Sequence, residues 1–220
     1  MFTLIGYTPS VILFDLDGTL VDSARDIHHC LNLALADHGM REVSELQVRN
    51  WVGRGASRLV YCVLEAAREP ASLHDALLAS FMRHYQAAVC QFSRFYEGVR
   101  PFMAACRERN IPMACVTNKP YAPARALLEA LGCLDEFALL LGGDSLPHRK
   151  PHPEPVLHAV RYFNAEPGKV LMVGDSRNDV EAARAAGVPC VALPYGYNHG
   201  EPIEACKPDW IIPSMSALLA

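Results

Sequence analysis

Two aspartates follow the first apolar run of the chain and are spaced for joint chemistry. The run Val11–Phe14 leads directly into Asp15, and Asp17 follows after one intervening residue. Side chains two positions apart in an extended chain point to the same side, so both carboxylates would face one way. Carboxylates held together repel each other unless a cation lies between them. This spacing therefore favours a cation-binding site over an ordinary acidic turn.

Further polar residues follow other apolar runs that have the character of strands. Thr117 and Asn118 follow the run 111–116, Lys150 lies in the Pro-rich loop 149–155, and Asp175 follows the run 170–173, with Asp179 four residues later. The carboxyl ends of parallel strands lie along one edge of a sheet, where open α/β folds place their sites. We therefore expect these groups to converge with Asp15 and Asp17.

The residue types in this set suit phosphoryl transfer. The four aspartates offer oxygen ligands for Mg²⁺, which binds one or two carboxylates and keeps waters and phosphate oxygens as further ligands. Thr117, Asn118 and Lys150 offer donors to phosphate oxygens. A carboxylate can attack phosphorus to form an aspartyl-phosphate when cations neutralise both reactants. A second acid can protonate the leaving oxygen and later activate water.

The hydrophobic pattern predicts an α/β fold with an all-helical insertion. Strands and helices alternate from residue 97 onwards, which indicates a doubly wound parallel sheet. Residues 22–95 show only helical periodicity and no strand pattern, with Ser23 and Ser72 as expected helix caps. We expect residues 1–21 and 96–220 to form the α/β core and 22–95 to form a second domain, inserted after the first strand. The predicted core strands are 11–14, 111–116, 137–141, 170–173, 191–193 and a short edge strand at 210–212.

Composition limits the classes of partner. Hydrophobic residues make up 51% of the 220 and charged residues 20%, with a net charge of -4, so the chain can bury a large core. A weakly acidic chain has no electrostatic footprint for nucleic acid or an anionic membrane, and no apolar run reaches the ~18 residues of a transmembrane helix. The eight cysteines contain no C-x-x-C pair, and the N-terminus lacks the basic residues of a secretory signal. We expect reduced, mostly buried thiols in a cytoplasmic protein.

Four motifs in this order resemble those of the haloacid dehalogenase superfamily of aspartate-nucleophile phosphotransferases. They are Asp-Leu-Asp-Gly-Thr at 15–19, Thr-Asn at 117–118, Lys150, and Gly-Asp-Ser-x-x-Asp at 174–179. The resemblance covers essentially the whole chain. Within the superfamily the chain is most similar to bacterial phosphoglycolate phosphatases, through segments such as Trp-Val-Gly-Arg-Gly-Ala at 51–56 and Val-Thr-Asn-Lys-Pro at 116–120.

The resemblance implies a Rossmann-like core, a mobile helical cap and a role for each motif residue. Asp15 would be the nucleophile and a Mg²⁺ ligand, and Asp17 the general acid/base, binding Mg²⁺ through its carbonyl. Asp175 would complete the protein ligands, Asp179 would hold metal waters or Lys150, and Lys150 would be catalytic. The expected function is Mg²⁺-dependent hydrolysis of 2-phosphoglycolate to glycolate and phosphate by a monomer or homodimer.

Substrate recognition is expected from Thr117, Asn118 and the insertion loop Gly53-Arg54-Gly55. Glycines allow close backbone approach, and exposed amides can bind anions. We expect this loop to reach the core when the cap closes. Its amides and the Arg54 guanidinium would then hold the substrate carboxylate.

Several other functions remain open at this point. A phosphatase for another small sugar or sugar-acid phosphate, or a phosphosugar mutase, could have the same core. A dehalogenase needs no acid for its leaving group, so Asp17 argues against it. A phosphonatase of the known kind needs a cap lysine, and no lysine lies between Leu20 and Glu97. A phospho-relay receiver lacks the helical insertion, and nothing is missing from the motif set to suggest a catalytically silent binding protein.

Overall fold

A six-stranded parallel sheet forms the centre of the protein, in a computed structural model that describes residues 1–220. The strand order is β5-β4-β1-β6-β7-β8, and every neighbouring pair is parallel. The predicted parallel α/β architecture is therefore confirmed. The strands are β1 (Val11–Phe14), β4 (Met113–Val116), β5 (Leu139–Leu141), β6 (Val170–Gly174), β7 (Cys190–Ala192) and β8 (Trp210–Ile211).

The central strands are apolar throughout because both faces of the sheet are covered. In β1 the side chains of Ile12 and Phe14 belong to one hydrophobic cluster, and those of Val11 and Leu13 belong to another on the opposite face. Phe14 lies opposite Cys115 of β4 and Val173 of β6 in the hydrogen-bonded register. Strands β1, β4 and β6 consequently end side by side, and the residues that follow them share one edge.

Four α-helices flank this sheet. Residues of α7 and α8 belong to the cluster that contains Val11 and Leu13, whereas α5 and α6 contribute to the other cluster. A 3₁₀ helix, Met215–Leu219, packs against α5. The core helices are α5 (Val99–Glu108), α6 (Tyr121–Ala130), α7 (Glu154–Tyr162) and α8 (Arg177–Ala185).

The helical insertion, residues 22–95, has a hydrophobic core of its own, to which all four of its helices contribute. Its helices are α1 (Ala24–Asp37), α2 (Glu45–Trp51), α3 (Ala56–Ala67) and α4 (His74–Ala87). One of the two predicted helix caps is wrong, and the other residue occupies the cap position without a capping hydrogen bond. A 3₁₀ turn, Ala71–Leu73, precedes α4, so Ser72 does not cap it. Ser23 precedes α1 but makes no capping hydrogen bond with its side chain.

The junction of the insertion with the core contains two short strands that the sequence pattern did not indicate. β2 (Val21–Asp22) pairs antiparallel with β3 (Arg94–Phe95). Two residues are too few for alternation to reveal a strand, so the prediction of no strand between 22 and 95 is wrong at both ends. The fully buried Asp26 carboxylate accepts hydrogen bonds from the backbone N–H groups of residues 91–93 and joins the two ends of the insertion.

All eight cysteines are free, and six of them are buried. None of the helices combines the length and the apolar character that crossing a bilayer requires.

Candidate active site

Three buried carboxylates meet at the carboxyl edge of the sheet. Asp15 directly follows β1, Asp175 directly follows β6, and Asp179 lies on the first turn of α8. A carboxylate oxygen from each lies within 4.8 Å of one from each of the others. The convergence expected from parallel strand ends is therefore present.

Lys150 is the cation within this cluster. Its ammonium donates to the Val116 carbonyl and to Asp179 Oδ1, both at 2.6 Å. It also lies 3.0 Å from Asp15 Oδ1, without the angles of a hydrogen bond. Burial alone would lower the pKa of Lys150, but the carboxylates of Asp15 and Asp179 raise it above its usual value. The ammonium therefore stays charged between two acids.

The cluster carries more negative charge than its lysine can offset. Burial raises the pKa of Asp15 to about 6. The Lys150 ammonium acts to lower this pKa, and the charge of Asp179 acts to raise it. Burial, together with the charges of Asp15 and Asp179, also raises the pKa of Asp175 well above its usual range. Three carboxylates thus lie around one ammonium, and a bound cation would reduce the repulsion between them.

The free oxygens of the cluster fit a divalent metal ion. Both carboxylate oxygens of Asp179 already have partners in the protein. Oδ1 accepts from the Lys150 ammonium, and Oδ2 accepts from the backbone N–H and the hydroxyl of Ser176. Asp15 Oδ1 is buried and accepts no hydrogen bond, and the Asp17 carbonyl receives none from the chain. Asp175 differs from Asp179 because each of its oxygens accepts one hydrogen bond from a neutral donor and neither contacts a cation. Asp15, Asp175 and the Asp17 carbonyl are therefore the oxygen donors that could hold the ion, as hard divalent cations prefer.

Asp175 is held by contacts that only glycine neighbours permit. Its Oδ1 accepts from Thr19 Oγ1 at 2.5 Å and its Oδ2 accepts from the backbone N–H of Tyr197 at 2.6 Å. A Cβ atom on Gly18 or Gly196 would lie 2.3 Å from Asp175 Oδ2, so neither position accommodates another side chain. Both contacts fix the direction in which the carboxylate faces.

Asp17 lies beside this cluster and is paired with Lys119. The Lys119 ammonium is 3.1 Å from both Asp17 carboxylate oxygens, and Ser23 Oγ donates to Oδ1 at 2.5 Å. Burial alone would lower the pKa of Lys119, but Asp17 raises it above its usual value. Lys119 was not singled out from the sequence. The only signal for it was its position, third after the end of β4 in Thr-Asn-Lys.

Thr117 and Asn118 lie at the site but are already hydrogen bonded. Thr117 Oγ1 accepts from the backbone N–H of Lys119 at 3.2 Å. Asn118 Nδ2 donates to the Gly53 carbonyl at 2.9 Å and to the Lys150 carbonyl at 2.8 Å. Its amide hydrogens therefore hold two loops together, and only its buried Oδ1 lacks a partner.

The loop Gly53-Arg54-Gly55 contacts the core through its glycines. The φ angles of Gly53 and Gly55 are 108° and 87°, in the region that favours glycine, and a Cβ on Gly55 would lie 3.1 Å from the Asn118 carbonyl. The Gly53 carbonyl also accepts from Asn178 Nδ2 at 3.1 Å. Arg54 is exposed, forms no ion pair and does not line the cavity. The structure thus brings the glycines to the site and leaves the guanidinium outside.

A cavity of about 50 Å³ separates the acids from the helical insertion. Asp15, Asp17 and Lys119 line it together with apolar side chains, most of which come from the insertion. A cavity of this size has space for only a few water molecules. The apolar part of the wall is formed by Ile27, Val52, Ala56, Leu59, Phe81, Met82, Tyr85, Pro120 and Pro123.

Tyr197 links the carboxylate cluster to the first residues of the insertion, a contact that the sequence did not reveal. Its backbone N–H binds Asp175, and its hydroxyl oxygen accepts from the N–H groups of Ser23 and Ala24, both at 3.1 Å. The hydroxyl donates to the Asp22 carboxylate. Tyr197 therefore contacts both the carboxylate cluster and the junction.

Residues 12–193 match the family of haloacid dehalogenase-like hydrolases. The chain belongs to this family. The match spans the strands that carry the acids and the whole helical insertion, so these are features of a haloacid dehalogenase-like hydrolase. The family relationship also accounts for the order of the four motifs.

Relatives of this hydrolase include proteins named phosphoglycolate phosphatase. The one from Thiobacillus denitrificans is 41% identical over 209 residues, which cover 93% of this chain and 92% of the relative. The one from Photorhabdus laumondii is 42% identical, covering 95% and 90%. A crystal structure described as a predicted phosphoglycolate phosphatase from Haemophilus somnus superposes with a TM-score of 0.93 at 36% identity, covering 97% of this chain and 98% of that one.

Proposed function

We propose that this hydrolase is a cytoplasmic, Mg²⁺-dependent phosphatase that converts 2-phosphoglycolate to glycolate and phosphate. The observation that carries the proposal is Asp15, a buried carboxylate that lines the cavity and has one oxygen without a hydrogen bond. Relatives of about the same length, at 41% and 42% identity, are named for this reaction. The eight free thiols support a reducing compartment.

Asp15 and Asp17 would share the chemistry. An Asp15 oxygen attacks phosphorus, the P–O bond to the leaving group breaks, and Asp17 gives its proton to the leaving oxygen. Asp17 then takes a proton from a water molecule that attacks the aspartyl-phosphate, which releases phosphate and restores Asp15. Mg²⁺ held by Asp15, Asp175 and the Asp17 carbonyl would neutralise charge on the carboxylate and the phosphoryl oxygens.

The remaining site residues would position the reactants. Lys150 would offset the charge of Asp15 and the phosphoryl group, and Asp179 would hold the ammonium in place through its 2.6 Å contact. Thr117 and the backbone around Asn118 would bind phosphate oxygens.

The helical insertion would act as a mobile cap, with residues 1–21 and 96–220 as the catalytic core. Its loop at Gly53 and Gly55 would close the site, because the Gly53 carbonyl is bound by the core residues Asn118 and Asn178. Such closure excludes water from the reacting groups.

Phosphate release from purified protein with Mg²⁺ tests the proposal. The substrate panel contains 2-phosphoglycolate, hexose phosphates and nucleoside monophosphates, and we expect the highest kcat/KM for 2-phosphoglycolate. Acid quenching during turnover, followed by mass spectrometry, should find phosphate on Asp15, and Asp15→Asn should abolish the adduct. A higher kcat/KM for a hexose phosphate would replace the proposed substrate, and an adduct elsewhere would refute the proposed nucleophile.

A further inference from the structure

We propose that Lys119 and Tyr85 together form the binding site for an anionic group on the leaving-group side of the substrate, and so select a carboxylate-bearing phosphoester. The inference rests on the proposed phosphatase function and adds the residues that determine its specificity. Lys119 comes from the loop after β4 of the core, and Tyr85 comes from α4 of the helical insertion.

Lys119 is the only cationic side chain that lines the cavity. Lys150 does not line the cavity. Its ammonium is bound to the Val116 carbonyl and to Asp179, and it contacts Asp15. Arg54 is exposed and also lies outside the wall. A negatively charged group that enters the cavity therefore meets one ammonium.

Tyr85 adds an unused donor next to this ammonium. The residue is 2% exposed and lines the cavity, yet its buried hydroxyl has no hydrogen-bond partner. Its ring centroid lies 4.5 Å from Lys119 Nζ. A buried hydroxyl without a partner destabilises the protein, and an acceptor on a ligand would relieve that cost. An ammonium and a hydroxyl side by side are complementary to a carboxylate.

The position of Lys119 relative to Asp17 matches the shape of 2-phosphoglycolate. Asp17 must lie within hydrogen-bond reach of the leaving oxygen in order to protonate it. The Lys119 ammonium is 3.1 Å from Asp17, and the carboxylate carbon of the substrate is two bonds beyond the leaving oxygen. A carboxylate two bonds from an oxygen that is hydrogen bonded to Asp17 is within reach of the Lys119 ammonium.

The rest of the wall reinforces this selection. Leu59, Phe81 and Met82 of the insertion line the same cavity, and they offer neither charge nor hydrogen-bond donors. Charge pairs are stronger in such apolar surroundings than in water.

Binding of two inhibitors separates this role from a merely structural pairing with Asp17. The non-hydrolysable 3-phosphonopropionate carries the carboxylate of the substrate, and propylphosphonate has the same chain without it. We expect wild-type protein with Mg²⁺ to bind 3-phosphonopropionate more tightly. Lys119→Met should reduce that preference at least tenfold, the scale of one lost charge-assisted hydrogen bond. Tyr85→Phe, which keeps the ring, should reduce it about threefold to tenfold.

The ratio of the two affinities is the decisive readout. If Lys119 served only to hold Asp17 in place, Lys119→Met would weaken the binding of both inhibitors equally. The ratio of the two affinities would then stay unchanged, which would overturn the inference. Lys169→Met, which removes an exposed lysine, is the matched control and should retain the wild-type ratio. If Lys119→Met does not fold, an unchanged ratio in Tyr85→Phe still overturns the proposed pair.

The failure of this inference differs from the failure of the proposed function. No phosphate release from 2-phosphoglycolate, with a carboxylate preference in binding that Lys119→Met removes, would refute the substrate and retain the anion site. Release from 2-phosphoglycolate, with no carboxylate preference in binding, would refute the anion site and retain the phosphatase.

Discussion

Replacing Asp15 by asparagine should stabilise the metal-free protein while it abolishes turnover. Burial raises the pKa of Asp15 from its ordinary 3.8 to about 6. Because the folded pKa is the higher one, the protonated acid favours the fold. That contribution is complete below about pH 4 and is lost as the pH rises through 6. At about 1.4 kcal/mol for each pKa unit, ionised Asp15 costs the fold about 3 kcal/mol at pH 7.

Urea unfolding at pH 4 and pH 7 in EDTA measures this cost. We expect Asp15→Asn to exceed wild type by about 3 kcal/mol in the free energy of unfolding at pH 7 and to match it near pH 4. Adding Mg²⁺ at pH 7 should stabilise wild type more than the variant, because the ion neutralises the carboxylate that the variant lacks.

Asp179→Asn is the matched control, since Asp179 contacts the same lysine. Its carboxylate accepts from Lys150 on one oxygen and from Ser176 on the other, so its charge is compensated in the fold. Breaking such a buried pair should lower the free energy of unfolding by about 3–5 kcal/mol. The two acids should therefore change stability in opposite directions.

Three results would refute this reasoning. A variant at position 15 that is no more stable than wild type at pH 7 would mean that Asp15 is not an electrostatic burden. A gain of equal size at both pH values would assign the effect to something other than its ionisation. Phosphate release by Asp15→Asn within about 10³ of the wild-type rate would remove Asp15 from the role of nucleophile.

Four further outcomes test the site. Lys150→Met should lower kcat about 10²–10³-fold in phosphate release, and Lys150→Arg should restore little, because a planar fork does not replace a compact charge. Chelation should abolish phosphate release, and Mg²⁺ should restore it better than Ca²⁺, which prefers longer bonds and more ligands. Gly196→Ala should raise the Mg²⁺ concentration for half-maximal rate, since its Cβ would lie 2.3 Å from Asp175 Oδ2. Arg54→Ala tests the carboxylate contact expected from the sequence: its exposed position predicts unchanged KM, whereas a contact on closure would raise KM for 2-phosphoglycolate about tenfold.

The acids could be located from the sequence because each follows an apolar strand. In a parallel sheet that fact alone places Asp15 and Asp175 at one edge, whatever their distance along the chain. Gly18 and Gly196 lie so close to the Asp175 carboxylate that neither position accommodates a Cβ atom. The divalent-metal fit and the fold followed from these local rules.

The contacts between insertion and core could not be predicted in this way. Asn118 donates to the Gly53 carbonyl across 65 positions of sequence, and Tyr197 reaches the junction from 174 positions away. No periodicity encodes which loop a helix will face. The expected role of Arg54 came from charge and flanking glycines, and neither of these specifies the direction in which an exposed side chain points.

The groups proposed for chemistry and the contacts of the insertion involve the same residues, which ties closure to catalysis. Asp17 accepts from Ser23 at the start of the insertion, and the ammonium of its partner Lys119 lies over the ring of Tyr85 from α4. A single movement of the insertion away from the core would therefore remove the Ser23 hydroxyl from the acid and the ring from the lysine together. Asp17 would then face water with Lys119 as its remaining partner. Closure of the proposed cap would thus assemble the leaving-group side of the site, whereas Asp15, Asp175 and Lys150 lie entirely within the core and would be in place beforehand.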